Sequence, residues 1–439
     1  MPGGDGVVPL PAPGARSLPG TAPREVERRI PTFTDGVDGP TTRDHPASAP
    51  DAPHHRTNFL AFSPPTVGEE EIGEVTRTLR SDWITTGPRT KRFEQEFAAA
   101  VHAPAALALN SCTAGLHTAL ATAGIGAGDE IITTPMTFAA SVNVIEHVRA
   151  RPVLADVEPD TLNIDPVALE RAITPRTKAI IVVHYAGHPA EMDAIHELAR
   201  AHHLLIVEDA AHAFPATYRG RPIGSGDNPV AFSFYATKNL TTAEGGMLTA
   251  SEAFVEHARP VSLHGMTRDA LTRYEKGGHW YYEILMPGFK YNMTDIQAAI
   301  GLCQLRKLQH FQQRRGEVVA AYTRAFADDD ALETPTARPE VEHAWHLYVL
   351  RLRLEALRIG RDQFIEELTR RNIGTSVHFI PIHLHPYYRD TYGWTPASFP
   401  VAYASYQRMI SLPLNPRLND QDVADVASAV LDVTRTYRR

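Results

Sequence analysis

The chain carries two cysteines, Cys112 and Cys303, in 439 residues. Two thiols cannot build a disulfide framework or a four-cysteine metal site, and no apolar leader core follows Met1, so the sequence points to a reducing cytoplasm. Long apolar runs are missing as well. No window approaches the roughly 18 uninterrupted apolar residues of a membrane-spanning helix, the most apolar stretch being the short Ala179–Val183, and a helical span is excluded. There is no excess of positive charge: the net charge is −8 and no dense Lys/Arg run occurs, which leaves nothing to attract nucleic acid. Lysine itself is scarce. Of 43 basic residues only six are lysines (Lys91, Lys178, Lys238, Lys276, Lys290 and Lys307), so each can be judged individually.

What is present suits a globular chain: 43% hydrophobic and 21% charged residues, at a length that predicts one large domain and a smaller one. Residues 1–57 hold 11 of the 34 prolines and only 15 apolar residues, which predicts a disordered tail. From Asn58 onward strand-like runs (Ala105–Leu109, Asp129–Thr133, Pro152–Asp156, Lys178–His184, Leu204–Asp209, Val230–Tyr235) alternate with helical patterns (Thr113–Ala123, Pro166–Ile173, Pro189–His202). Such alternation predicts an α/β domain with a mostly parallel sheet covered on both faces. A helical pattern from Thr294 to about Phe326 breaks it and bridges to a small α+β domain: strand Trp345–Leu352, helix Arg361–Asn372, strand Thr375–Phe379, helix Asp420–Tyr437. The expected division is a large domain over 58–310 and a small one over 311–439. No internal repeat or heptad array is visible.

In open α/β sheets ligands sit outside the carboxyl ends of the strands, so polar residues closing an apolar strand are the first candidates. Ala105–Leu109 runs into Asn110-Ser111-Cys112-Thr113-Ala114 and a helix start. Ser and Thr there are ordinary helix caps, and the same free N–H groups can bind a phosphate. Leu204-Leu205-Ile206-Val207 meets Glu208-Asp209-Ala210-Ala211-His212. A carboxylate directly after four apolar residues is costly unless paired. A backbone or arginine partner satisfies it; so does a protonated heterocyclic nitrogen, which would make Asp209 the electronic control of a pyridine cofactor. His212, a helical turn on, reads equally as a satisfied core histidine.

The third strand, Val230-Ala231-Phe232-Ser233-Phe234-Tyr235, is followed by Ala236-Thr237-Lys238-Asn239 and Glu244-Gly245-Gly246-Met247. A lysine between an apolar strand and a Gly-Gly turn is oddly placed for mere solvation, and burial would lower its pKa and free the amine to attack carbonyls. Lys91 and Lys307 fall on polar helix faces, Lys178 opens a strand, and Lys276 and Lys290 fall in loops. Lys238 is the outlier. An Asp after one strand, Ser233 and Lys238 after the next, and a Ser-Cys-Thr-Ala helix start upstream are together what pyridoxal 5'-phosphate requires: an amine, a carboxylate opposite the ring nitrogen, and a phosphate cup.

These residues resemble the DegT/DnrJ-type nucleotide-sugar aminotransferases, which have the aspartate aminotransferase (fold type I) architecture. The likeness runs from about Asn58 to the C-terminus. It is carried by Trp83-Ile84-Thr85-Thr86-Gly87-Pro88, Asn110-Ser111-Cys112-Thr113-Ala114-Gly115, Glu208-Asp209-Ala210-Ala211-His212, Ser233 with Lys238, Glu244-Gly245-Gly246, and Gly288-Phe289-Lys290-Tyr291-Asn292-Met293-Thr294-Asp295. The resemblance implies a seven-stranded-type sheet and pyridoxal phosphate held by Lys238 as the Schiff-base lysine, which also moves protons. It implies Asp209 on the ring nitrogen, Thr113, Ala114 and Ser233 on the phosphate, Phe138 stacked on the ring and His212 beside it. Many relatives have tryptophan at the Phe138 position, and alone Phe138 reads as core. Asn292 in such enzymes reaches the phosphate of the neighbouring subunit, which implies a homodimer with shared active sites.

For the substrate, the segment Gly374-Thr375-Ser376-Val377-His378-Phe379-Ile380-Pro381, followed by His383, His385 and Tyr387-Tyr388, resembles the substrate-side loop of relatives that aminate C4 of a keto sugar. His378 would contact the sugar or its nucleotide, and His184 and Tyr185, at a strand end, would join it or serve as a hydrogen-bonded strand end. The reaction so implied passes an amino group from L-glutamate to a nucleotide-linked deoxysugar. A metal site is not expected, because the histidines lack clustered Cys or carboxylate partners. Related deoxysugar dehydratases carry histidine where this chain has Lys238, and a non-catalytic relative would have lost the Lys, the Asp or the phosphate cup; all three stand.

Overall fold

The computed structural model describes residues 56–267 and 280–439. The expected tail lies outside these residues except for Arg56 and Thr57, as does Lys276. Arg56 is anchored: its guanidinium reaches Asp422 at 2.6 Å and Asp425 at 2.7 Å, and its carbonyl accepts from Asn372.

The apolar runs become strands β1 (Ala105–Leu109), β2 (Glu130–Thr133), β3 (Arg151–Leu154), β4 (Thr177–Val183) and β5 (Leu205–Asp209). A short hairpin, β6 (Thr217–Tyr218) and β7 (Arg221–Pro222), precedes β8 (Val230–Ser233) and β9 (Gly246–Ala250). Seven of these form one sheet in the order β1-β9-β8-β5-β4-β2-β3. Pairing is parallel from β8 through β5, β4 and β2 to β3, whereas β9 runs antiparallel to both β1 and β8. The reversal follows from the connection: the segment from β8 to β9 holds no crossover helix and folds back as a loop with Ser233 opposite Gly246. Lys238 rides on that loop, at the carboxyl end of β8.

Helices cover both faces. One core packs Phe97 edge to face against Phe93, Phe232 and Phe234, a geometry that suits the aromatic quadrupole. The opposite face packs Leu116, Leu120, Ile131, Ile181 and Leu248. The helix Asp295–Phe326, started by a Thr294/Gln297 capping box, runs unbroken through residue 310. It gives Ala298 and Leu302 to the first core and Tyr322 and Phe326 to another, where the antiparallel strands Leu332–Glu333, Tyr348–Leu352 and Met409–Leu412 meet helices Arg361–Arg370 and Asp420–Tyr437.

Two expectations change. Gly246–Ala250, not anticipated, is an interior strand, paired on both sides. Thr375–Phe379, expected as a strand, pairs only at Ser376 with Ser411. Beyond Ser376 the chain is diverted: the His378 carbonyl accepts from the Tyr185 hydroxyl and its ring engages Ser411. Among the described residues no helix is long and apolar enough to cross a membrane, and no group of three or more His, Cys, Asp or Glu is arranged to hold a metal ion.

Candidate active site

The carboxyl ends of β1, β5 and β8 open on one cleft of about 490 Å³. At β1, Ser111 caps the helix Cys112–Thr122, its hydroxyl accepting from the Ala114 N–H at 3.1 Å. That leaves the amides of Cys112 and Thr113 as the free donors of the helix start, where an anion is favoured. The helix approaches the sheet closely: a Cβ on Gly115 would lie 3.0 Å from that of Ala231, and one on Gly246 would lie 2.3 Å from the Ser111 carbonyl carbon. Glycine is therefore required at 246, where β9 passes under the turn.

At β5 the side chains alternate in facing, so adjacent carboxylates part company. Asp209 faces the cleft and is 6% exposed. Its Oδ1 accepts from Ala211 N–H at 3.1 Å and lies 3.7 Å from the Cys112 thiol, while Oδ2 accepts from the Ser141 hydroxyl at 2.7 Å. Glu208 turns to the far side and meets His184 at 3.0 Å. Because His184 Nδ1 accepts from Ala190 N–H at 3.1 Å, its proton sits on Nε2 and points to Glu208. Burial would raise the Glu208 carboxyl, but the His184 hydrogen bond and charge outweigh it and the group is lowered.

At β8, Lys238 is fixed by its neighbour: the Asn239 side chain donates to the Phe214 and Ala344 carbonyls and meets His346 Nδ1. The Lys238 Nζ has no hydrogen-bond acceptor among the described residues. Burial brings its pKa down to about 8, only partly offset by Cys112 and Asp209 alongside. Roughly a tenth of the amine is thus neutral at pH 7, against well under a thousandth at the ordinary lysine value, and the neutral form is the one that attacks carbonyls. Burial drives the Cys112 thiol well up, so it stays protonated.

Three histidines line the same cleft: His212, His346 and His378. Burial, and then the charge of Lys238, lowers His378 to about 4; burial also takes His212 and His346 well below the usual range. His212 stacks on Phe379 (5.6 Å between centroids, 19°), and its buried Nδ1 has no partner. An orphaned buried nitrogen of this kind calls for a ligand atom.

Thr113, Phe138, Asp209, His212, Ser233, Lys238 and His378 all line the cleft. Phe138 is 64% exposed, with its ring 6.1 Å from that of Phe379. Ala114 lies beneath the lining, its amide already taken by the cap. Three further candidates do not reach the cleft. His184 is fully buried with both ring nitrogens engaged on the far face. Tyr185 is buried and its hydroxyl holds the His378 carbonyl, so it touches the cleft only through that segment. Asn292 donates to Thr86 at 2.7 Å, beside the end of β1 and away from this chain's own cleft lining. Sequence reading did not single out Thr137, Ser141 or His346; the last was hidden inside an expected strand.

The residues fit pyridoxal phosphate: a free amine with lowered pKa, a buried carboxylate whose two oxygens are held by donors, free helix-start amides for a dianion, and an unpaired imidazole nitrogen. On a sheet with a single antiparallel strand beside the lysine loop, this set defines a pyridoxal-phosphate enzyme of the aminotransferase type. The chain belongs to the DegT/DnrJ/EryC1/StrS aminotransferase family, whose sequence profile matches residues 65–431. It is 51% identical over 382 residues to the spore coat polysaccharide biosynthesis protein SpsC of Bacillus subtilis, covering 87% of this chain and 98% of that protein. It is 52% identical over 384 residues to the uncharacterized protein MJ1066 of Methanocaldococcus jannaschii, 87% of this chain and all of the other. The structure superposes on the putative sugar aminotransferase Spr1654 of Streptococcus pneumoniae in its PMP form with a TM-score of 0.81 at 37% identity, over 86% of this chain and 99% of that one. The protein is a pyridoxal-phosphate-dependent sugar aminotransferase.

Proposed function

We propose that this enzyme transfers the amino group of L-glutamate to the C4 keto group of a nucleotide-linked deoxysugar, as a cytoplasmic homodimer. Lys238 and Asp209 lining one cleft is the observation that carries the reading of the centre. The cofactor, when bound, carries the amino group and stabilises negative charge at the reacting carbon. Lys238 Nζ would hold the cofactor at its aldehyde and would serve as the base and acid that holds and moves the proton at the reacting carbon. Its lowered pKa suits both roles, since a base and acid working near neutral pH is best matched when its pKa lies close by. Asp209 keeps the ring nitrogen protonated. The helix start at Thr113 and Ser233 would take the phosphate, whereas Ala114, its amide committed to the Ser111 cap, drops out of that role; Phe138 would cover one ring face and His212 lie alongside.

The C4 choice rests on the likeness of the His378 segment to relatives that aminate C4. His378 is the substrate contact, with Tyr185 acting through it, and His184 is set aside as a far-face partner of Glu208. Asn292 reaches the partner subunit's phosphate site. The nucleotide supplies binding energy remote from the reacting carbon. A panel of 4-keto and 3-keto nucleotide sugars, with L-glutamate and other donors, tests the reading by mass detection of the amino sugar. Amination of 4-keto sugars from glutamate is expected; amination of 3-keto sugars alone would contradict it.

A further inference from the structure

Asp209 accepts from Ser141, and Ser141 has one proton. With that proton committed to Asp209 Oδ2 at 2.7 Å, the 2.7 Å contact between Ser141 and Thr137 can be made only if the Thr137 hydroxyl is the donor. All three groups are nine-tenths or more buried, at 2% exposure for Thr137, 0% for Ser141 and 6% for Asp209. The chain Thr137 O–H → Ser141 O–H → Asp209 therefore has a fixed polarity, each dipole ending on the carboxylate. Hydrogen-bond chains of this kind reinforce themselves in a low-dielectric interior.

We infer that Thr137 and Ser141 are positioning residues that hold the Asp209 carboxylate aimed at the cofactor ring nitrogen. This deepens the role given to Asp209 above and rests on it. A carboxylate this deeply buried loses its hydration, and hydroxyl and amide donors replace the missing water. The titratable groups facing it are Cys112, across Oδ1, and Lys238. The thiol lies farther away, and the Ala211 amide supports only Oδ1, so the serine is the donor that serves Oδ2. Loss of the chain raises the cost of the negative charge. The ring nitrogen then loses its proton more readily, electron withdrawal weakens, and the imine nitrogen of the holoenzyme becomes more basic.

The test uses the full-length holoenzyme and reads two quantities apart from turnover: the dissociation constant of pyridoxal phosphate, and the pH midpoint of its visible absorption. Ser141→Ala should weaken binding roughly tenfold to a hundredfold, the effect of deleting a hydrogen bond to a charged group. It should also move the absorption midpoint upward. Thr137→Val should shift both in the same direction by less, and Thr137→Ser should restore the wild-type values. Asp209→Asn separates the two layers. If it changes both readouts while Ser141→Ala and Thr137→Val change neither, the relay is wrong and the role of Asp209 stands. If Asp209→Asn changes nothing, both fall. A change in Ser141→Ala that Thr137→Val does not share overturns the two-link chain.

Discussion

The Tyr185 hydroxyl donates to the main-chain carbonyl of His378, joining the turn after β4 to the segment that leaves Ser376. His378 is then held from other sides, by Ser411 at 2.9 Å on Nδ1 and by the Phe62 ring at 5.4 Å. Removing the donor frees a segment whose next residue, Phe379, stacks on His212. Tyr185→Phe should raise the KM for the keto sugar by roughly tenfold with a smaller loss in kcat, and cost about 1 kcal/mol of stability. Steady-state kinetics and thermal unfolding check this. An unchanged KM would show that the tether does nothing for the substrate.

Burial of Lys238 gives a pH prediction with a definite sign. Only the neutral amine condenses with an aldehyde, and a lowered pKa places half-neutralisation at about 8 instead of 10.5. The rate at which apoenzyme takes up pyridoxal phosphate should climb as pH rises through about 8 and level off above it. Stopped-flow absorbance against pH reads this directly. A rise continuing to a midpoint near 10.5 would mean that the amine is solvated.

Gly246 passes beneath the helix start with no room for a methyl group: the added carbon would meet the Ser111 carbonyl carbon at 2.3 Å and the Cys112 nitrogen at 2.5 Å. Both obstacles are backbone, so no side-chain rotation relieves them. Gly246→Ala should destabilise the protein by roughly 1–3 kcal/mol and loosen the phosphate end of the cofactor. Thermal unfolding with and without added cofactor measures both. Full stability together with wild-type cofactor affinity would contradict the packing described.

Most of the large sheet is legible in the sequence because each buried strand is a contiguous apolar run, and its closing polar residues sit next to it in the chain. That is why Asp209, Ser233, Lys238 and the Ser111 turn can all be picked out by eye. The final helix, Asp420–Tyr437, also falls where its periodicity places it. His184 obeys the same strand-closing rule as Asp209 and yet faces away, because strand alternation sends Glu208 and its partner to the far side. Thr137, Ser141 and His346 give no such signal. Thr137 and His346 reach the cleft from a loop and from the approach to another strand, Ser141 supports Asp209 from the first turn of a helix, and only the fold brings them there. Gly246–Ala250 escapes because its glycine reads as a turn, although that glycine is demanded by a backbone crossing.

Covalent capture of the cofactor tests the central claim most directly. The holoenzyme is reduced with borohydride, digested, and the modified lysine located by mass spectrometry. There are six lysines to choose from. The pyridoxyl group should be found on Lys238 alone and should be lost in Lys238→Ala. A label on Lys91, Lys178, Lys276, Lys290 or Lys307, or none at all on cofactor-saturated protein, would contradict the site described.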